Sequence, residues 1–163
     1  MKEFNTLDDF QFENRTVLLR VDINCPLIKE TLEIEDDNRI RQIIPTVREL
    51  LDKGAKVVII AHQGRPGDWD FVRLDRHAVV LSRYLGKQVK YVDDIVGPTA
   101  QAEIKGLTPG NAILLKNVRD LPYEQEKRSP EDHARCELVT ALAPLADYYI
   151  NDAFATAHRS QCS

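Results

Sequence analysis

The run Ala146-Asp147-Tyr148-Tyr149-Ile150, followed by Asn151-Asp152-Ala153-Phe154-Ala155-Thr156-Ala157-His158-Arg159, decides how this chain folds. A short apolar run bounded by polar residues predicts a buried strand over 147–150. A strand that empties into Asn, Asp, His and Arg delivers those groups to the sheet edge where open α/β sheets bind ligands. Three other runs end in the same manner: Arg20-Val21-Asp22-Ile23-Asn24-Cys25-Pro26, Ala61-His62-Gln63-Gly64-Arg65-Pro66 and Leu115-Lys116-Asn117-Val118-Arg119. Four such tips on one edge predict a single anion site.

Working outward, Thr16 to Val21 reads as the first strand. Ile40, Ile43, Ile44, Val47, Leu50 and Leu51 then recur at helical spacing and predict a helix over 39–53, ended by Gly54. Pro45 either kinks that helix or marks a one-turn start before Thr46. A second strand is expected over 56–61, a turn-rich loop over 64–70, and a helix over 75–85 with Val79, Val80, Leu81 and Leu85 inward and Gly86 as its stop. A strand over 89–92 and a helix over 95–104 follow, with Pro98 near the helix start and Gly106 closing it. The fourth strand spans 111–115. The charged stretch 123–135 predicts a solvated face. Ser129-Pro130 is a helix opening, and the helix should run over 131–142. Five strands alternating with helices predict an α/β fold, a three-layer, doubly wound, Rossmann-like parallel sheet forming a single domain over 1–163.

With 163 residues and 43% apolar content the chain can bury a real core. A net charge of −4 opposes a general nucleic-acid surface, so any cationic site must be local. No apolar stretch approaches the roughly 20 residues that cross a bilayer, and the N-terminus lacks the apolar core of a signal peptide. A cytoplasmic location is the expectation. Cys25, Cys136 and Cys162 show no CxxC or Cys/His spacing, so neither a disulfide framework nor a zinc site is expected. Cys25 reads as a small buried thiol rather than a nucleophile. His77 and His133 fall inside helices and read as solvated or satisfied residues.

The sheet edge would gather Asp22, Asn24, His62, Arg65, Arg119, Asn151, Asp152, His158 and Arg159, with Arg39 beside them at the start of the first crossover helix. Each arginine taken singly is an ordinary surface residue. Their shared position after strands makes them a group, and the planar guanidinium fork matches carboxylate and phosphate. The implied ligand is a small, multiply charged anion. A carboxylate and an amide, Asp22 and Asn24, suit a hydroxyl, so a phosphorylated hydroxy acid satisfies both sets. There is no GxxxxGK[ST] loop, no dinucleotide fingerprint and no nucleophile placed for a triad.

At these segments the chain resembles the phosphoglycerate kinase family. Arg20 to Pro26 is similar to that family's Arg-Val-Asp-Phe-Asn-Val-Pro, Ala61 to Pro66 to its Ser-His-Leu-Gly-Arg-Pro, Leu114 to Arg119 to its Leu-Leu-Glu-Asn-Leu-Arg, and Asn151 to Arg159 to its Asn-Asp-Ala-Phe-Gly-Thr-Ala-His-Arg. Gln63 and Ala155 depart from the commonest pattern and resemble the archaeal branch, and Ala155 implies that no positive φ is needed there. The resemblance implies that Asp22, Asn24, Arg39, His62, Gln63, Gly64, Arg65, Arg119 and Arg159 bind 3-phosphoglycerate or 1,3-bisphosphoglycerate. It implies that Arg39 is catalytic, neutralising the phosphoryl group in flight between 1,3-bisphosphoglycerate and ADP in glycolysis. What it matches is the N-terminal, acid-binding domain. Mg and ATP or ADP would be held by a C-terminal domain with no counterpart in this chain, which serves as its partner. No metal site, nucleic-acid partner or membrane partner is expected of these residues. Alone, the chain is expected to be inactive and to expose an apolar patch where C-terminal segments pack, a route to self-association. The competing expectation is a stand-alone noncatalytic anion-binding or scaffold domain.

Overall fold

Thr16 to Val21 form a strand, β1, buried at all six positions, as a strand covered on both faces must be. The computed structural model, which describes residues 5–157 and 161–163, builds a sheet around it from β2 (Lys56–Ile60), β3 (Val89–Val92), β4 (Asn111–Leu115) and β5 (Tyr148–Asp152). The strand order is β3-β4-β2-β1-β5, and every pairing is parallel. The predicted doubly wound α/β sheet is the one observed.

Chain direction explains the layers. From β1 and β2 the chain moves toward the β3 edge through α1 (Asn38–Asp52) and α2 (Asp75–Leu85). From β3 and β4 it returns toward β5 through α3 (Pro98–Gly106), then α4 (Pro130–His133) and α5 (Glu137–Leu142). Right-handed crossovers in opposite directions put these helix sets on opposite faces. The core divides accordingly. Val17, Leu19, Val57 and Ile59 pack with Ile40, Val47, Leu50 and Leu81 on one side. Leu18, Val58, Ile60 and Ile113 pack with Ile104, Leu138 and Leu142 on the other. The winding direction reverses between β4 and β2, so a crevice opens beyond the ends of those two strands.

Several expectations need correction. α1 runs unbroken through Pro45, so of the two readings of Pro45 the one-turn start before Thr46 is set aside. Pro45 lies on the exposed side, where water can take up the carbonyl that loses its helical partner. In α2 the inward stripe is His77, Ala78, Leu81 and Leu85, while Val79 is 68% exposed, because a 100° step per residue turns it away from the sheet. The single helix expected over 131–142 is two helices, α4 and α5. Cys136 between them is extended, at φ −68° and ψ 159°, and the Leu138 N–H freed at the new helix start donates to the Tyr123 hydroxyl at 3.1 Å. Stretch 123–135 is not wholly solvated, since Glu124 and His133 are buried. Finally, Asn151 and Asp152 lie inside β5, opposite Arg20 and Val21, and not beyond it. Ala155 sits in a one-turn helix, α6 (Phe154–Ala157).

Candidate functional site

Each strand tip continues into a loop whose backbone is fixed by side chains from another tip. After β1, Asp22 Oδ1 accepts the Asn24 N–H at 3.1 Å, turning the chain at once. Asn24 Oδ1 then accepts the Gly64 N–H at 2.9 Å, tying the first tip to the second. Gly64 has φ +65°, and a Cβ there would lie 2.5 Å from the Asp70 carbonyl carbon. Only glycine permits this approach.

The loop after β2 is held from the β4 side as well. Arg119 Nη1 donates to the Gly64 carbonyl at 2.6 Å. Asn117, buried, donates to the Gln63 carbonyl at 2.7 Å and the Val72 carbonyl at 3.1 Å, and its Oδ1 accepts the Arg119 N–H at 3.2 Å. The sequence placed Asn117 in the tip after β4 but gave it no part in the site, although an Asn just beyond an apolar strand is a recognisable turn signal.

Alternation along the strand explains why His62 and Gln63 differ. Gln63 faces α2 and is fully buried. Its Oε1 accepts the Cys25 N–H at 2.8 Å and lies 3.1 Å from His77 Nε2, and its Nε2 donates to the Cys25 carbonyl at 3.0 Å. The side chain is therefore committed to clamping the β1 tip. His77 is shut in enough that burial lowers its pKa to about 4. Burial likewise pushes the Cys25 thiol up to about 11, a poor nucleophile as expected.

His62 faces the opposite side of the sheet, where Arg20 Nη2 lies 3.0 Å from its Nδ1. Arg20 is itself buried, and desolvation lowers its pKa against the pull of Glu124. Its Nε donates to Ser163 Oγ at 2.9 Å and its Nη1 to the Val21 carbonyl at 2.6 Å. Ser163 Oγ bonds in turn to Glu124 Oε1, whose pKa is raised by burial. Sequence reading missed this buried pair because each partner sits in an otherwise ordinary apolar or charged stretch.

Arg39, in the first turn of α1, reaches back to bond Asp22 Oδ2, with its own side chain 46% exposed. Arg65 is exposed beside Gly64. Asp22, Asn24, Arg39, His62, Gly64, Arg65 and Arg119 thus share the ends of β1, β2 and β4. Asn151 and Asp152 close the β5 end, with Asn151 Oδ1 accepting the Ala153 N–H at 2.9 Å. Arg159 and His158 lie outside the described residues.

Two other features bear on what the crevice holds. Among the described residues there is no cluster of three His, Cys, Asp or Glu side chains suited to a metal ion, and no helix long and apolar enough to cross a membrane. A cavity of about 400 Å³ lies elsewhere, between α5 and β5, lined by Leu18, Leu138, Leu142, Tyr148 and Cys162. Its walls are mainly apolar and bring no cations together, so it does not compete with the crevice as an anion site.

Fold and crevice together define a doubly wound α/β domain with guanidinium groups at the topological switch point. Comparison with known proteins makes the assignment narrower. A phosphoglycerate kinase family model matches residues 7–163. The phosphoglycerate kinase of Sulfurisphaera tokodaii is 52% identical over 157 residues, covering 96% of this chain and 38% of that protein. That of Methanopyrus kandleri is 51% identical over 162 residues, covering 99% and 39%. The crystal structure of phosphoglycerate kinase from Pyrococcus horikoshii superposes with a TM-score of 0.92 at 44% identity, over 96% of this chain and 38% of that one. The chain belongs to the phosphoglycerate kinase family, and it spans about two-fifths of the length of these relatives.

Proposed function

We propose that this chain is the N-terminal, acid-binding domain of a cytoplasmic phosphoglycerate kinase, acting in glycolysis on 3-phosphoglycerate and 1,3-bisphosphoglycerate. Asp22 and Asn24 meet the hydroxyl and carboxylate. Arg65, Arg119, His62 and Arg159 meet the anionic oxygens, with Gly64 letting the backbone approach. Mg and ATP or ADP are assigned to a C-terminal domain of the same enzyme, and the chain alone is inactive because it holds one reactant of two.

The observation that carries this reading is the double tie on Gly64. Asn24 from the β1 tip and Arg119 from the β4 tip both bond its backbone, so three loops are locked into one preorganised edge. Arg39 supplies the mobile charge. Its side chain is 46% exposed, against 14% for Asp22, so the guanidinium is open to solvent and a phosphoryl group of higher charge competes for it. In phosphoryl transfer the protein mainly positions the reactants and offsets charge on the moving oxygens, which is the part given to Arg39.

Calorimetric titration of the chain with 3-phosphoglycerate tests the reading. Saturable binding in the millimolar range or tighter is expected, with weaker heat from inorganic phosphate. No heat and no thermal stabilisation, with the fold intact, would exclude it.

A further inference from the structure

We infer that Arg20 is a positioning residue that fixes the tautomer of His62, so that His62 acts as a neutral hydrogen-bond donor through Nε2. The register of the sheet sets the pair. Arg20 stands opposite Ile60 in the β1–β2 ladder, and a residue two places beyond Ile60 projects on the same face within diagonal reach. That residue is His62, and the observed Nη2 to Nδ1 distance is 3.0 Å.

A guanidinium has only donors. Nδ1 of His62 must therefore accept, which leaves the ring proton on Nε2, at the edge turned away from Arg20. A proton on Nδ1 would point at an N–H of Arg20, so the hydrogen-bond geometry places the ring proton on Nε2. Arg20 cannot easily turn away. Ser163 Oγ holds its Nε at 2.9 Å, the Val21 carbonyl holds its Nη1 at 2.6 Å, and the side chain is 1% exposed. The same arrangement makes Ser163 and Glu124 outer supports of the site, although neither is at a strand tip.

A neutral Nε2–H donor suits an oxygen that must be recognised without adding further positive charge to an edge already rich in arginine. The assignment of the tautomer stands on geometry alone; its consequence for affinity rests on the 3-phosphoglycerate reading.

The test is two-bond 1H–15N correlation of the histidine rings in the chain at pH 7.5. The wild type should show His62 with Nε2 protonated and Nδ1 bare. Arg20→Met, which keeps length and apolar bulk, should broaden this into a mixture of tautomers and weaken 3-phosphoglycerate binding about twofold, in proportion to the fraction of rings that lack the Nε2 proton. Arg20→Lys should restore the single tautomer and part of the affinity. Glu124→Gln should leave the tautomer unchanged. Protonation of His62 at Nδ1 in the wild type overturns the inference without any variant, as does an unchanged His62 spectrum in folded Arg20→Met. A wild-type chain with the expected tautomer but no ligand binding would sink the functional reading and leave the tautomer assignment standing.

Discussion

Asn24 Oδ1 accepts the backbone N–H of Gly64 at 2.9 Å, so the loop after β1 is tied to the loop after β2. That coupling rests on a backbone conformation only glycine holds in this setting. Gly64→Ala should cost at least about 2 kcal/mol, from left-handed strain plus collision with fixed backbone. Gly67 provides the control: it has φ +92° but nothing within 4 Å of a built Cβ. Gly67→Ala should cost only about 1 kcal/mol. Urea unfolding reads both, as a lower midpoint at unchanged slope. Equal losses at the two positions would remove the steric argument.

Gln63 is the second device that fixes the edge. Gln63→Leu would leave the Cys25 N–H and carbonyl and the His77 ring nitrogen without the partners they now have. Buried polar groups stripped of partners cost about 1–3 kcal/mol each, and relaxation of the loop recovers part of it. A net loss of about 2–4 kcal/mol is expected, together with weaker ligand binding, because the β1 tip loses its clamp. Unchanged chemical denaturation would show that the clamp is incidental.

Much of this architecture was legible in sequence because strands such as Val57 to Ile60 are uninterrupted apolar runs and Gly54 and Gly86 mark helix ends. The strand tips were legible for the same reason, since polar residues directly after such runs must emerge at the edge. Arg20 was not, because a lone cation inside an apolar strand looks like a solvent-facing residue until the covering helices and Ser163 are in place. Gln63 and His62 are adjacent in sequence and face opposite sides of the sheet, and only the pleat separates the clamp on Cys25 from the partner of Arg20. Glu124 and His133 were hidden for the converse reason. A charged stretch reads as solvated, yet the break at Cys136 folds part of it against the sheet.

Arg39 and Arg119 should separate cleanly by mutation. Arg39 is half-exposed and its hydrogen bond at the edge is to Asp22, so Arg39→Ala should change stability by less than about 1 kcal/mol. Its effect should fall on the ligand, with affinity for 3-phosphoglycerate lowered roughly ten- to hundredfold, as for loss of a charge-assisted bond. Arg119 also braces the Gly64 carbonyl. Arg119→Ala should therefore lower affinity and also cost about 1–3 kcal/mol of stability. Titration calorimetry and urea unfolding of both variants check this, and a large stability loss in Arg39→Ala would contradict it.

His77 gives the fold a defined pH dependence. Burial lowers its pKa to about 4, against about 6.5 for an unperturbed histidine. Between those values the unfolded chain binds a proton that the folded chain refuses, so stability rises with pH by up to about 1.4 kcal/mol per unit. The penalty is absent above about pH 6.5, grows as pH falls, and reaches about 3 kcal/mol below pH 4. Glu124 acts in the opposite sense, because its pKa is raised by burial and its protonation relieves a cost as pH falls. The contribution of His77 is isolated by comparing wild type with His77→Gln, which keeps an amide N–H for the Gln63 oxygen. Urea midpoints taken from pH 7.5 to 4 should converge or cross, because only the wild type carries the histidine penalty. Parallel curves over that range would mean that the ring takes up its proton in the folded state as readily as in the unfolded one.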